Sequence, residues 1–252
     1  MEILKFGKAN GKLKQLQAKL GRKVAIFDML AGHTCPFAKD CLSKAINLDG
    51  KRTIEDGKDT KFRCYAASLE VIYPAVYFAH EHNTKLIRTA LLGGVNNVVD
   101  LITQSIPKWA EVIRIHSSGD FFHLSYFDAW RKVAESYPDR LFYAYTKATP
   151  FWVKRLDAIP PNMLLTASFG GKRDDLILSH NLRSSLVVKT VAEAKKLKLP
   201  IDKADICAAT PGPNFALLIH GVQPKGSEYG KAVRKLKGKG SYGRKSTRKV
   251  AV

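Results

Sequence analysis

Glu111-Val112-Ile113-Arg114-Ile115-His116-Ser117-Ser118-Gly119-Asp120-Phe121-Phe122 is the stretch that decides the fold: an apolar run that stops abruptly at small polar residues, a glycine and an acid. Such a run reads as a buried strand, here 111–116, and the amphipathic segment 125–137 that follows reads as a helix. Downstream the unit repeats. Strands are expected at 141–145, 163–168, 185–189 and 215–220, with helices at 150–158, 174–181 and 191–199 between them. Upstream, residues 23–30 read as the first buried strand, and 64–82 and 86–106 as helical regions, the second broken at Gly93-Gly94. On the first of these helices Ala66, Leu69, Ile72, Val76 and Ala79 share a face. Residues 1–22 suit a strand and short helix, or an arm. Short apolar strands alternating with helices indicate a parallel sheet wound by βα units. The expected class is α/β, a full or partial (βα)6-8 TIM-type barrel with a cysteine-bearing loop after the first strand. A doubly wound open sheet is the competing topology.

In a barrel, chemistry collects at the carboxyl ends of the strands. Here His116, Ser117, Ser118, Gly119 and Asp120 follow the first run quoted. Thr146 and Lys147 follow the next, Ser168, Gly170 and Gly171 the third, and Lys189, His220 and Gly221 the last two. Asp120 is the candidate general base or nucleophile, and Gly119 beside it allows close backbone approach. Lys147 is a candidate for binding phosphate or carboxylate. His116 is either a further catalytic candidate or a satisfied core residue. Phe121 and Phe122 could stack on a base, although packing is the better reading.

The chain has four cysteines, and three fall early: Cys35 and Cys41, separated by five residues, then Cys64, separated from Cys41 by 22. No secretory signal opens the sequence, so a reducing cytoplasm is expected. There, clustered cysteines bind metal more often than they form disulfides. The spacing matches neither a zinc finger nor a bacterial ferredoxin run. Cys35 and Cys41 lie in a long polar loop, 31–62, of the kind that is functional or pinned by metal. Lys39, Lys44 and Arg63 would lower the thiol pKa values. Cys207 as a fourth ligand would close the site and favour structural zinc or a fully ligated cluster; without it, one iron stays open. His33 is a further ligand candidate.

The 252 residues suit one large domain, 1–224, with a basic and mobile tail, 225–252. Forty-two Lys and Arg against 22 Asp and Glu leave a net charge of +20, which attracts polyanions, nucleic acid above all. Lys235, Lys237, Lys239, Arg244, Lys245, Arg248 and Lys249 are the candidates for phosphate-backbone contact, whether on DNA or RNA. No run of 18 apolar residues exists, so no membrane span is expected. Oligomeric state is not legible.

Taken together, Ala31-Gly32-His33-Thr34-Cys35-Pro36, Lys39-Asp40-Cys41, Phe62-Arg63-Cys64-Tyr65-Ala66-Ala67, Ser118-Gly119-Asp120-Phe121-Phe122, Tyr143-Ala144-Tyr145-Thr146-Lys147 and His220-Gly221 resemble a phage family known only as gene product eighty-eight. In order along the chain, Cys64-Tyr65-Ala66, Gly119-Asp120-Phe121-Phe122 and Thr146-Lys147 are also similar to phage radical-SAM-like proteins with three cysteines. That resemblance implies a partial (βα)6 barrel and a [4Fe-4S] cluster on Cys35, Cys41 and Cys64, with S-adenosylmethionine on the open iron. It places Ser117, Ser118, Gly119 and Asp120 near the methionyl part of the cofactor; Ser168 and Gly170, at a later strand end, are further cofactor-binding candidates. The spacing here is wider than the Cys-x3-Cys-x2-Cys usual in radical-SAM enzymes. The leading expectation is a phage-type, nucleic-acid-modifying iron–sulfur enzyme, acting in the host cytoplasm. The alternatives are a base-exchange enzyme resembling deazaguanine transglycosylases, with a structural metal, and a non-catalytic nucleic-acid-binding protein.

Overall fold

The computed structural model describes residues 2–236. The elements run β1 (Phe6–Lys8), α1 (Leu13–Leu20), β2 (Val24–Phe27), the hairpin β3 (Ser43–Leu48) and β4 (Lys51–Asp56), then helices α2 (Tyr65–Ile72), α3 (Pro74–Leu92) and α4 (Val95–Ser105). From β5 (Val112–Ile115) strands and helices alternate: α5 (Leu124–Ser136), β6 (Leu141–Thr146), α6 (Thr149–Val153), β7 (Met163–Ser168), α7 (Asp175–Ser179) and β8 (Ser184–Val188). α8 (Val191–Lys196), β9 (Phe215–Leu218) and α9 (Glu228–Leu236) complete the chain.

The result is a mixed α/β fold on a seven-stranded, mostly parallel sheet, ordered β1-β2-β5-β6-β7-β8-β9, with only β1 antiparallel. The parallel strands follow one another in chain order. A doubly wound sheet needs a reversal of that order, and none occurs. Right-handed crossovers that all step the same way put their helices on one face. On that face Phe27, Ile115, Phe142 and Ala144 pack against Ile102, Phe127 and Trp130. The opposite face turns Val24, Ile26, Val112 and Tyr143 toward Leu13 and Leu16 of α1. Strands buried on both faces read as continuous apolar runs, and all four residues of β2 and of β5 are buried. The ladder joins no strand to both β1 and β9, which are the sheet edges, so the full barrel expected as one option is not closed by hydrogen bonds among the described residues.

Three local readings change. The 31–62 loop contains the β3–β4 hairpin, turned by Asp49 and Gly50 at φ 49° and 82°. The helix expected over 64–82 breaks at Tyr73, and Pro74 opens α3 at a position where its missing N–H costs nothing. Of its expected apolar face Ala66 is buried, but Leu69 and Ile72 are exposed; Ala67, Ser68 and Glu70 are buried beside Ala66. Finally, α9 lies inside the segment expected as tail. It buries Ala232 and Leu236 in a cluster with Val188, Leu218 and Ile219. Lys235 therefore stands on a packed helix, whereas Lys237, Lys239, Arg244, Lys245, Arg248 and Lys249 lie outside the described residues. No helix among the described residues is long and apolar enough to cross a membrane.

Candidate active site

A cavity of about 190 Å³ opens where the parallel strands end. Cys35, Cys41 and Cys64 line it, and so do Ser117, Ser118, Gly119, Asp120, Lys147 and Ser168. His116 also reaches its wall. Gly170 and Cys207 do not line it.

The turn after β5 is built by steric necessity. His116 leaves the strand at φ 66° and Gly119 sits at φ 87°. A Cβ on Gly119 would lie 2.7 Å from Thr34 Oγ1 and 3.2 Å from Met29 Cβ, so only glycine lets the turn press against the start of the cysteine loop. Asp28, just past β2, clips that turn in place by accepting from Ser117 N at 2.6 Å, Ser118 N at 2.8 Å and Ser117 Oγ at 2.8 Å. Ser118 Oγ donates to Glu70 at 2.9 Å. The serine side chains are thus committed to protein carboxylates.

Gly170 serves the loop instead of the cavity. Its carbonyl accepts from Lys39 N and Asp40 N at 3.2 and 2.9 Å, which staples the cysteine loop to the end of β7. Cys64 caps α2, and its own N–H donates to Ser43 Oγ at 3.2 Å.

Burial governs the titrating groups. It pushes the Cys64 thiol up to about 12, with neighbouring Cys41 adding to the rise and the Ala66 and Ala67 amides at the head of α2 opposing it. Cys35 is held well above the usual thiol range by burial, then by Asp120 and the other two cysteines. The lowering expected from nearby basic residues is not what the site does: Arg63 is spent on Asp56, 2.5 Å away. Asp120 is raised to about 6 by burial, against bonds accepted from Thr146 Oγ1 at 2.6 Å and from Lys147 N and Phe121 N at 2.8 Å. Lys147 Nζ donates to Ser168 Oγ at 2.7 Å.

His116 is buried, with one ring nitrogen bonded and Nδ1 without a hydrogen-bond partner. Burial lowers it to about 3, its Nε2 meets Tyr126 OH at 2.8 Å, and Phe121 packs edge-on against it. Phe121 is fully buried, so it packs and stacks on no ligand. His33 bonds the Ala45 carbonyl at 2.9 Å.

Among the described residues no group of three or more His, Cys, Asp and Glu could hold a single metal ion. A four-thiolate zinc site needs every sulfur about 2.3 Å from one ion. Cys207 packs elsewhere, beside Phe215, with Arg183 on its carbonyl. The donor chemistry at the cavity does suit a larger thiolate-bound group. Three thiols line the same cavity, and Gly32 N–H donates to Cys35 Sγ at 3.3 Å. Amide-to-sulfur hydrogen bonds of this kind tune iron–sulfur clusters.

Reading the sequence missed Asp28, Glu70, His80 and Arg114. Glu70 is fully buried and accepts from Ala31 N, Ser118 Oγ and His80 Nδ1 at 2.8–2.9 Å, so it joins the cysteine loop, the β5 turn and α3. Its signal was an acid on the small-residue side of α2. Arg114 stands in the middle of a buried strand, a place where a charge needs a partner.

Two curated relatives, the Gene 88 proteins of Mycobacterium phage L5 and Mycobacterium phage D29, are each 34% identical over 93 residues, which is 33% of this chain and 38% of each relative. The chain thus matches little more than a third of their length. No solved structure matches. The family model described as Gene product 88 matches residues 3–241, nearly the whole chain, and this chain belongs to the gene product 88 family.

Proposed function

We propose that this chain is a nucleic-acid-modifying enzyme with a [4Fe-4S] cluster on Cys35, Cys41 and Cys64, and that its sheet is a partial (βα)6 barrel. The observation that carries the reading is convergence: cysteines far apart in sequence line one cavity, at the strand ends, together with Asp120 and Lys147. Six parallel strands in unbroken chain order support the partial barrel. The net charge of +20 supports a polyanionic substrate.

Bound there, the cluster supplies one-electron chemistry to S-adenosylmethionine. The chain's own residues do the rest. The 117–119 turn brings Gly119 to the cavity, since the hydroxyls, amides and carbonyls of Ser117 and Ser118 are engaged within the protein. Asp120, poised near neutrality, holds or releases a proton at the cavity wall. Lys147 sets a cation beside it. A target base reaches this cavity only from a single strand or by flipping out of a duplex.

The test is nucleoside mass spectrometry on DNA and RNA from cells that make the wild-type chain or Cys64→Ala. A new nucleoside made only by the wild type is expected. Identical profiles, with both proteins folded, would overturn the modification reading.

A further inference from the structure

A second cavity, of about 510 Å³, lies at the other end of the sheet, where the parallel strands begin. Val24, the first residue of β2, forms part of its wall. None of its lining residues belongs to the cysteine cavity.

Its polar lining is made of donors. Lys8 on β1, Lys14 on α1 and Lys23, just before β2, converge on it from three segments. No acid lines it, and among the described residues none of the three ammonium groups has an ion-pair partner. Neighbouring groups do not neutralise them. Glu111 uses Oε2 on Lys23 N at 2.8 Å, and Arg22 donates to the Glu111 and Asp139 carbonyls at 2.9 and 2.6 Å. Gln17 accepts from Val24 N through Oε1 at 2.9 Å, which leaves its amide N–H2 without a protein partner among the described residues. Like charges gathered without an acid repel one another, so this set gives the fold nothing; an anion between them would relieve it.

The remaining wall is aromatic. Trp109 packs partly against the core and is only partly buried. Among the described residues its ring stacks on no other ring. Lysines beside an open indole are the pairing that holds a single strand, with phosphates on the cations and a base on the ring. The volume falls within the roughly 300–1,000 Å³ of ligand pockets. Neither an arginine fork nor a glycine-rich turn lines the cavity to cradle a terminal phosphate. Point-charge lysines suit a phosphodiester backbone read without sequence preference.

We propose that this cavity is an exosite for single-stranded nucleic acid, with one base stacked on Trp109 and the flanking phosphates on Lys8, Lys14 and Lys23. It rests on the nucleic-acid reading above and adds a contact remote from the cysteine cavity, which holds the strand away from the base being modified.

The experiment titrates the full chain into a fluorescent oligothymidylate and follows anisotropy over a series of salt concentrations. Trp109→Ala should bind about 5- to 160-fold more weakly, the cost of one lost stack, with an unchanged salt slope. Trp109→Phe keeps a π-face and should recover most of the affinity. Lys8→Gln/Lys14→Gln/Lys23→Gln should flatten the slope of log K against log salt by about 2. Lys154→Gln/Lys195→Gln/Lys196→Gln removes the same charge from exposed positions outside both cavities and should leave the slope as it is. The three site lysines are exposed, so their variant decides the matter even if Trp109→Ala does not fold. Wild-type binding by the site variants, or equal weakening by the two lysine triples, would overturn the exosite and leave the nucleic-acid reading standing. Thymidine monophosphate that competes as well as the strand would give the cavity to a free nucleotide and overturn the exosite too. No binding of the oligothymidylate by wild type would overturn both.

Discussion

Gly119→Ala tests how tightly the β5 turn is pressed onto the cysteine loop. Gly119 has φ 87°, in the left-handed region, which costs a side-chain-bearing residue about 1–2 kcal/mol. The new methyl would also sit 2.7 Å from Thr34 Oγ1 and 3.2 Å from the Met29 carbonyl oxygen. Thr34 cannot yield freely, because its hydroxyl donates to the Leu30 carbonyl at 2.8 Å and it is fully buried. Overpacking of this kind costs about 1–3 kcal/mol. The expected loss is therefore about 2–5 kcal/mol, or a fall in Tm of roughly 4–20 °C for a chain of this size. Urea unfolding followed by circular dichroism reads it. Gly212→Ala is the control: nothing lies within 4 Å of a Cβ there and its φ is not left-handed, so stability should hold or rise slightly. A loss under about 0.5 kcal/mol in Gly119→Ala, or equal losses in both variants, would refute the reasoning.

The other predictions are independent of that turn. Gly221→Ala, with φ 79° and a Cβ 2.6 Å from Tyr65 Cβ, should cost about 2 kcal/mol or more and release the Tyr65 hydroxyl from the Ser117 carbonyl; an unchanged urea midpoint would contradict this. Asp120 has a folded pKa of about 6 against 3.8 for the ordinary group, so between those values the folded state keeps a proton that the unfolded state has lost. Stability relative to Asp120→Asn should therefore fall by about 2–3 kcal/mol as pH rises from 4 to 7, and a rise or a flat difference across that window would contradict the burial argument. Arg155→Ala breaks a two-pronged pair with Asp128 at 2.8 Å, but the pair is partly exposed and the loss should stay under about 1 kcal/mol in urea unfolding.

Much of the sheet was legible because the parallel strands are short apolar runs that stop at polar residues or glycine within a residue or a few of their ends. Val112–Ile115 followed by Ser117-Ser118-Gly119 is the clearest case. The same punctuation exposed Asp120, Lys147 and Ser168 at the cavity. The hairpin went unread although Asp49-Gly50 between alternating residues is a strong two-residue turn signal. Its lysines and arginine gave the segment the look of a solvated loop. Glu70 and Asp28 were illegible for a deeper reason. A buried carboxylate declares itself only through partners brought in by the fold, here Ser117 and Ser118 from 89 and 48 residues away. Gly170 was assigned to the cofactor because it follows a strand, whereas its work is to hold the loop at Lys39 and Asp40. Cys207 shows that composition alone cannot group ligands: four cysteines invite a four-ligand site, and the fold brings three of them to the cavity.

The central claim is that Cys35, Cys41 and Cys64 act together and Cys207 does not. Its direct test is iron, sulfide and zinc content with electron paramagnetic resonance on anaerobically prepared wild type, Cys64→Ala and Cys207→Ser. About four irons per chain in wild type and Cys207→Ser, lost in Cys64→Ala, with a reduced signal that shifts on adding S-adenosylmethionine, is the predicted result. Zinc without iron, or iron that survives Cys64→Ala and disappears in Cys207→Ser, would contradict it.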